Sequence, residues 1–271
     1  SMKYSLFFWL FILLHCQINA QLFQNSGAIS TSMAGLDANN ENIWSINNNI
    51  AQLSKIEKTT ISISSFQPFL VKDFITSTLV IGLPTKDGAF GFNYSSNGNK
   101  YLRMHNIGLG YSKKLGLNLQ SGIKLNYFLI NAGDFYNKKS LISADIGLSA
   151  KLSKELNIGM ILKNPTLSKL SSFNDERLSS SIQFAAGYKF SNYLTLQTGI
   201  KKDINYPTSF LTAIHYQPNQ KISINGGIGT KPNLAAFGMS FDLDNFTMSI
   251  ATQVHQVLGW SPDFSIVYQF K

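Results

Sequence analysis

From residue 59 to the end of the chain, apolar positions alternate with small or polar ones, a turn-forming stretch follows, and the alternation resumes. Ile182, Phe184, Ala186, Tyr188 and Phe190 form one such row, with Gln183, Ala185, Gly187 and Lys189 between them. A period of two places alternate side chains on opposite faces of a strand. The pattern predicts fourteen strands, at 59–67, 74–83, 88–96, 101–112, 117–130, 140–152, 156–163, 180–190, 194–203, 209–217, 221–229, 233–243, 246–254 and 263–270. Short turns at Pro84–Asp87, Lys113–Gly116, Ser153–Glu155, Ser191–Tyr193, Pro218–Gln220 and Asp244–Asn245 alternate with longer loops, among them Pro68–Asp73, Asn131–Lys139, Asn164–Ser179, Thr230–Pro232 and His255–Pro262.

Strands of this length, apolar on one face and polar on the other, are what a transmembrane barrel needs, and an even count with loops of alternating length fits an outer-membrane one. Leu119, Ile123, Leu125 and Tyr127 read as lipid-facing, as do Phe184, Phe237, Met239, Met248 and Ile250. Gln120, Gly122, Lys124 and Asn126, with Gln183, Gly238, Ser240 and Ser249, read as luminal. A soluble sandwich would carry charge on its solvent face, whereas here the non-apolar face is small and mostly neutral. The expected fold is therefore all-β: a transmembrane antiparallel barrel of about fourteen strands over 59–271.

The first twenty residues read as a signal peptide: Lys3, an apolar core from Phe7 to Leu14, and a small residue, Ala20, before Gln21. Ser1, ahead of Met2, reads as an extraneous residue. The apolar run is too short to span a bilayer as a helix. Cys16 is the single cysteine and lies within this leader, so the remainder has no thiol for disulfides or metal ligation. Charged residues are 14% of the chain, against roughly 25% in ordinary soluble domains. The net charge of +9 comes from lysines standing singly or in pairs at turns and strand ends, such as Lys113, Lys114, Lys151 and Lys154. That placement suits anionic lipid head groups better than nucleic acid, which is not an expected partner.

Residues 21–58 break the alternation. They are rich in Asn, with Trp44 and Ile46 embedded, and they read as a folded N-terminal appendix. A fourteen-stranded barrel is wider than side chains alone can fill, so this appendix is expected in the lumen as a plug, its Asn amides bonding to the wall or to their own turn.

Met33-Ala34-Gly35, followed by Trp44-Ser45-Ile46-Asn47-Asn48-Asn49-Ile50-Ala51-Gln52-Leu53, resembles the N-terminal signature of the PorV-like branch of the long-chain fatty-acid transporter (FadL) superfamily. That signature is a "GMGGA" segment followed by "W-S-x-x-N-N-x-A-G-L-A". Asn48, Asn49, Ala51 and Leu53 match; Gln52 replaces a glycine, and Ala34 replaces the first glycine of the pair. The resemblance implies a fourteen-stranded outer-membrane barrel with a luminal hatch. Met33, Gly35, Trp44, Asn47, Asn48, Asn49, Ala51 and Leu53 would be its plug residues. The PorV-like branch is typical of Bacteroidota and serves type IX protein secretion; other relatives move hydrophobic small molecules. At the other end, Phe264, Ile266, Tyr268 and Phe270 resemble the C-terminal signal by which barrels are recognised for membrane assembly, here followed by Lys271.

Catalysis is not expected. The four histidines are scattered without metal-ligand spacing, no serine has a readable base, and no carboxylate dyad is evident. No metal or cofactor is implied. GAFG at 88–91 and GGIG at 226–229 precede no helix and read as wall glycines rather than phosphate loops. Two classes of function remain. The first is a non-enzymatic accessory or docking subunit of an outer-membrane export or assembly machine, with other outer-membrane or periplasmic proteins as partners beside the lipid. The alternative is a channel or transporter for small hydrophobic molecules such as long-chain fatty acids. The scattered luminal apolar residues Phe128, Ile161, Leu211 and Val267 form no cluster along the sequence, which places the accessory role first.

Overall fold

The computed structural model describes residues 27–131, 138–168 and 177–271. The expected signal peptide, with Cys16, lies outside the described residues, as do positions 21–26 and the centres of two loops. Fourteen antiparallel strands form one closed barrel. They are β1 Thr60–Phe66, β2 Thr76–Pro84, β3 Gly88–Gly98, β4 Arg103–Lys114, β5 Leu119–Asn131, β6 Lys139–Lys151 and β7 Leu156–Lys163. They continue as β8 Ser181–Lys189, β9 Leu194–Asp203, β10 Ser209–Asn219, β11 Ile222–Thr230, β12 Asn233–Leu243, β13 Phe246–His255 and β14 Gly259–Gln269. Each strand pairs with its sequence neighbours, and β1 closes on β14 with Thr60 opposite Gln269. Closure leaves no edge, which a bilayer demands because unpaired backbone groups there cost several kcal/mol each. Among the described residues no helix is long and apolar enough to cross a membrane, so the crossing is made by strands.

Both ends of the strand run lie at the end of the barrel that carries the short turns. Two loops at the other end are shorter than the sequence suggests. Lys231 and Pro232, joined by a cis peptide, are the whole connection between β11 and β12. β14 begins at Gly259 rather than 263, leaving only Gln256–Leu258 after β13. Pro262 lies inside β14 because its missing N–H falls on the side of β1, which has already ended; there Gln67 N–H donates to the Pro262 carbonyl (2.9 Å).

The faces follow the alternation. Outside, Phe184 and Ile250 are about half exposed (51% and 52%). Inside, Ser62, Asn93, Gln120, Asn126, Ser143 and Ser249 are buried. Aromatic pairs girdle the outer wall at the short-turn end: Phe90 with Tyr111 and Phe246 with Tyr268, both 4.6 Å between centroids, and Tyr188 with Phe190 at 4.9 Å. Such belts mark the bilayer interface in membrane barrels.

Candidate functional site: the occupied lumen

Residues 27–56 lie inside the barrel, and Glu57 and Lys58 are exposed where the chain passes to β1. A short helix, α1 (Ala28–Ser32), is followed by two 3-10 turns, Ile43–Ile46 and Ile50–Lys55. Gly27, in a left-handed conformation (φ 85°), lies against the Trp44 ring; a Cβ there would sit 2.5 Å from the indole. Asn42 caps the first turn by accepting from Trp44 N–H (2.9 Å). Asn49 accepts from Ala51 N–H (3.2 Å) and starts the second turn. Local polar side chains thus fold a segment too short to form a stable helix alone.

The segment touches the wall all the way round. The second 3-10 turn packs on β3–β6, the first on β1–β3, and α1 on β11–β14. Ala38 lies over Gly159 of β7, and Leu36 over Gly199 of β9. Met33 joins Leu211 and Ala213 of β10 in one apolar cluster. The wall is stripped of side chains where the backbone comes closest: a Cβ on Gly227 would lie 2.5 Å from the Met33 carbonyl carbon, and one on Gly122 2.9 Å from that of Ile50.

Hydrogen bonds fix its register. Gln183 of β8 accepts from Asp37 N–H (2.9 Å) and Ala38 N–H (3.1 Å) and donates to the Gly35 carbonyl (2.9 Å). Lys124 Nζ donates to Asn47 Oδ1 and Lys163 Nζ to the Asn47 carbonyl, both at 2.8 Å. Asn49 Nδ2 donates to the Ala38 and Leu148 carbonyls (2.7 and 2.9 Å). Gln52 Nε2 reaches Ser149 Oγ (2.9 Å), and Ser112 Oγ donates to the Ala51 carbonyl (2.7 Å). Thr31 Oγ1 donates to Asp263 Oδ2 (2.6 Å), whose other oxygen accepts from Ser64 Oγ (3.0 Å).

The structure therefore brings the N-terminal candidates together in the lumen. Met33, Trp44, Asn47, Asn48, Asn49, Ala51 and Leu53 are all buried, and Gly35 (φ 74°) turns the chain after α1. Trp44, Ile46, Ile50 and Leu53 form an apolar core with Val80, Ala89 and Val267 of the wall. Phe264, Ile266, Tyr268 and Phe270 do not join the site; their alternation places them on the outer face of β14. The sequence treats Gln183 as an ordinary lumen residue, and its three bonds to the segment have no local signal, because Gly35 lies 148 positions away.

The luminal apolar residues, scattered in sequence, are clustered in space. Val267, Ile161 and Leu211 pack against the N-terminal segment. Phe128 does something different: it packs with Leu141, Leu178, Met104 and Ile130 at the loop end of the lumen, forming an apolar patch away from that segment. Below the patch the wall turns polar. Asn93 and Asn106 are buried there, and their amide oxygens have no hydrogen-bond partner among the described residues. Lys124 and the Asn126–Asp145 bond (2.8 Å) complete the floor. Among the described residues no group of His, Cys, Asp or Glu is arranged to hold a metal.

The geometry defines a class: a fourteen-stranded, membrane-spanning barrel of the outer-membrane type with its N-terminal segment in the lumen. No family model matches the sequence, and no curated protein matches it. Solved structures do match in fold. The monoaromatic hydrocarbon channel CymD superposes with a TM-score of 0.69 at 10% identity, over 92% of this chain and 99% of that one. The toluene transporter TbuX of Ralstonia pickettii gives 0.69 at 11% identity, over 93% and 100%. A FadL homologue of Pseudomonas aeruginosa gives 0.64 at 10% identity, over 93% and 100%. At these identities the likeness is one of fold.

Proposed function

We propose that this protein is a non-enzymatic outer-membrane channel or transporter for small hydrophobic molecules, of the FadL superfamily, and that residues 27–56 are its plug. The observation that carries this reading is the Phe128–Leu141–Leu178 patch. It is a buried apolar cluster on the luminal side that the plug does not cover, placed at the loop end, where a molecule arriving from outside would meet it before the plug. Binding sites for apolar ligands are mostly apolar and carry a few polar groups; buried Asn93 and Asn106 lie beneath the patch. The likeness to two hydrocarbon channels supports the same direction. It reverses the order of the two classes drawn from sequence, because the accessory role was placed first on the lack of a luminal apolar cluster along the chain, and Phe128, Leu141 and Leu178 cluster in space. The outer row of β14, ending in Phe270, is proposed as the assembly signal.

The test is ligand binding by the purified protein in detergent, read by calorimetry with toluene and with a long-chain fatty acid. One of the two should bind, and Phe128→Asn with Leu141→Asn should weaken it tenfold or more while the barrel stays folded. Absence of binding by the wild type, or equal binding by the variant, overturns the reading.

A further inference from the structure

Near the loop end the lipid-facing wall carries a run of hydroxyl side chains on adjacent strands. Along one register row near the loop end, Ile250 of β13 and Phe264 of β14 are followed by Ser65, Ser77 and Ser96 on β1, β2 and β3, then by His105 on β4 and Leu129 on β5. Three consecutive strands thus present serine, flanked by Phe264 and Ile250 on one side and by His105, then Leu129, on the other. The row beneath is apolar: Ile63, Leu79 and Tyr94, with Phe264 at the side. The result is a groove of about 380 Å³ on the outer surface, with hydroxyls at its upper end and alkyl and aromatic walls below. Tyr94 hydroxyl and His105 Nδ1 meet at 2.9 Å beside it, on the same outward face. A polar group on a lipid-facing wall carries a desolvation cost that calls for a reason.

Above the groove the charge is positive. Arg103 lies on the outward face of β4, two residues beyond His105, and is exposed. Lys100 tops the same hairpin, over the Tyr101 ring (4.8 Å), and Lys72 lies exposed in the loop from β1 to β2. Asp73 is the single carboxylate on these two connections. The order from loop end to mid-wall is therefore cation, hydroxyl, apolar groove. That is the order of phosphate, polar backbone and acyl chain in a membrane lipid.

We propose that this groove is a binding site for a phosphate-bearing lipid of the outer leaflet, one acyl chain lying over Ile63 and Leu79 and the phosphate held by Arg103 and Lys100. The occupant is a lipid rather than a second protein because the groove is small, amphipathic along one axis, and set between lipid-facing Phe264 and Ile250 on one side and the Tyr94–His105 pair on the other. The groove also touches Ser64 and Thr78, but their hydroxyls are engaged on the inner side by Asp263 and Ser95, which keeps this site apart from the luminal one.

The experiment is native mass spectrometry of the protein released from nanodiscs of phosphatidylcholine containing lipid A as the phosphate-bearing probe. The wild type should retain lipid A well beyond its share of the bilayer, in a one-to-one complex. Ser77→Leu with Ser96→Leu, which fills the groove with residues suited to lipid, and separately Arg103→Gln should each lower that retention about tenfold, with heat-modifiable gel mobility showing an intact barrel. Retention in proportion to bilayer composition, unchanged retention by the filled variant, or release as a protein dimer bound through this face would each overturn the proposal.

Discussion

Gln183 and Phe184 are neighbours in β8, and their side chains leave the wall in opposite directions. Phe184 faces lipid; an Arg there would cost roughly 2–4 kcal/mol if it sits near the midplane. Gln183 holds two N–H groups and one carbonyl of the plug. Removing its amide would leave those groups short of partners, at about 1–3 kcal/mol for each left unsatisfied. The two substitutions should therefore fail differently. Phe184→Arg is expected to lower the yield of folded barrel in vesicles, with the folded fraction still closed to ions. Gln183→Leu should lower stability as well, but its folded fraction should conduct in planar bilayers, because the region around Gly35–Ala38 loses its hold on β8. Matching folding penalties and matching conductance for the two would contradict the assigned faces. Gln52 shows the same logic in the natural sequence: the residue that departs from the motif's glycine makes a wall contact to Ser149. Ala34 shows the opposite, since it occupies a left-handed conformation (φ 59°) where the motif carries glycine.

At the scale of elements, the plug is held by close approach as much as by bonds. Gly227→Val would drive two methyl groups into the Met33–Ala34 backbone, and overpacking of this kind costs about 1–3 kcal/mol. It should partly displace α1 and open a small, noisy conductance; deletion of 27–50 should open a large, stable one. A deletion variant that remains closed would mean that the loops, not the plug, block the lumen. The strands were legible because each carries its own alternation, and most ends agree within two residues. The start of β14 was not, because proline normally stops a strand and its harmless position here depends on where β1 ends. The plug's location followed from volume and from its Asn-rich composition. Its partners did not, because Lys124, Lys163 and Gln183 meet it across separations of 77, 116 and 148 residues or so. The Phe128 patch was missed for the same reason: Phe128 and Leu141 are register partners on adjacent strands, but Leu178 comes from a distant loop.

At the scale of the whole molecule, the plug contacts every strand, so barrel and plug should unfold as one unit. Beyond the expected leader the chain has two tryptophans, Trp44 in the plug and Trp260 on β14. In a Trp260→Phe variant, Trp44 emission should therefore shift at the same urea concentration at which the strand signal disappears. An earlier shift would show a plug that leaves an intact barrel. The join between plug and wall also dictates an order of assembly. Only Ile56–Thr59 separate the last turn of the plug from β1, and β1 is one side of the closing seam. The contact from Thr31 to Asp263 spans 232 residues, so it cannot form until the last strand of the barrel has been made, and contacts of such range are slow to form. The segment that precedes the strands is thus among the last to find its place, and the strand that follows it cannot meet β14 without enclosing it. Sealing the wall and filling its interior are a single event, and a barrel that closes wrongly is also one that leaks.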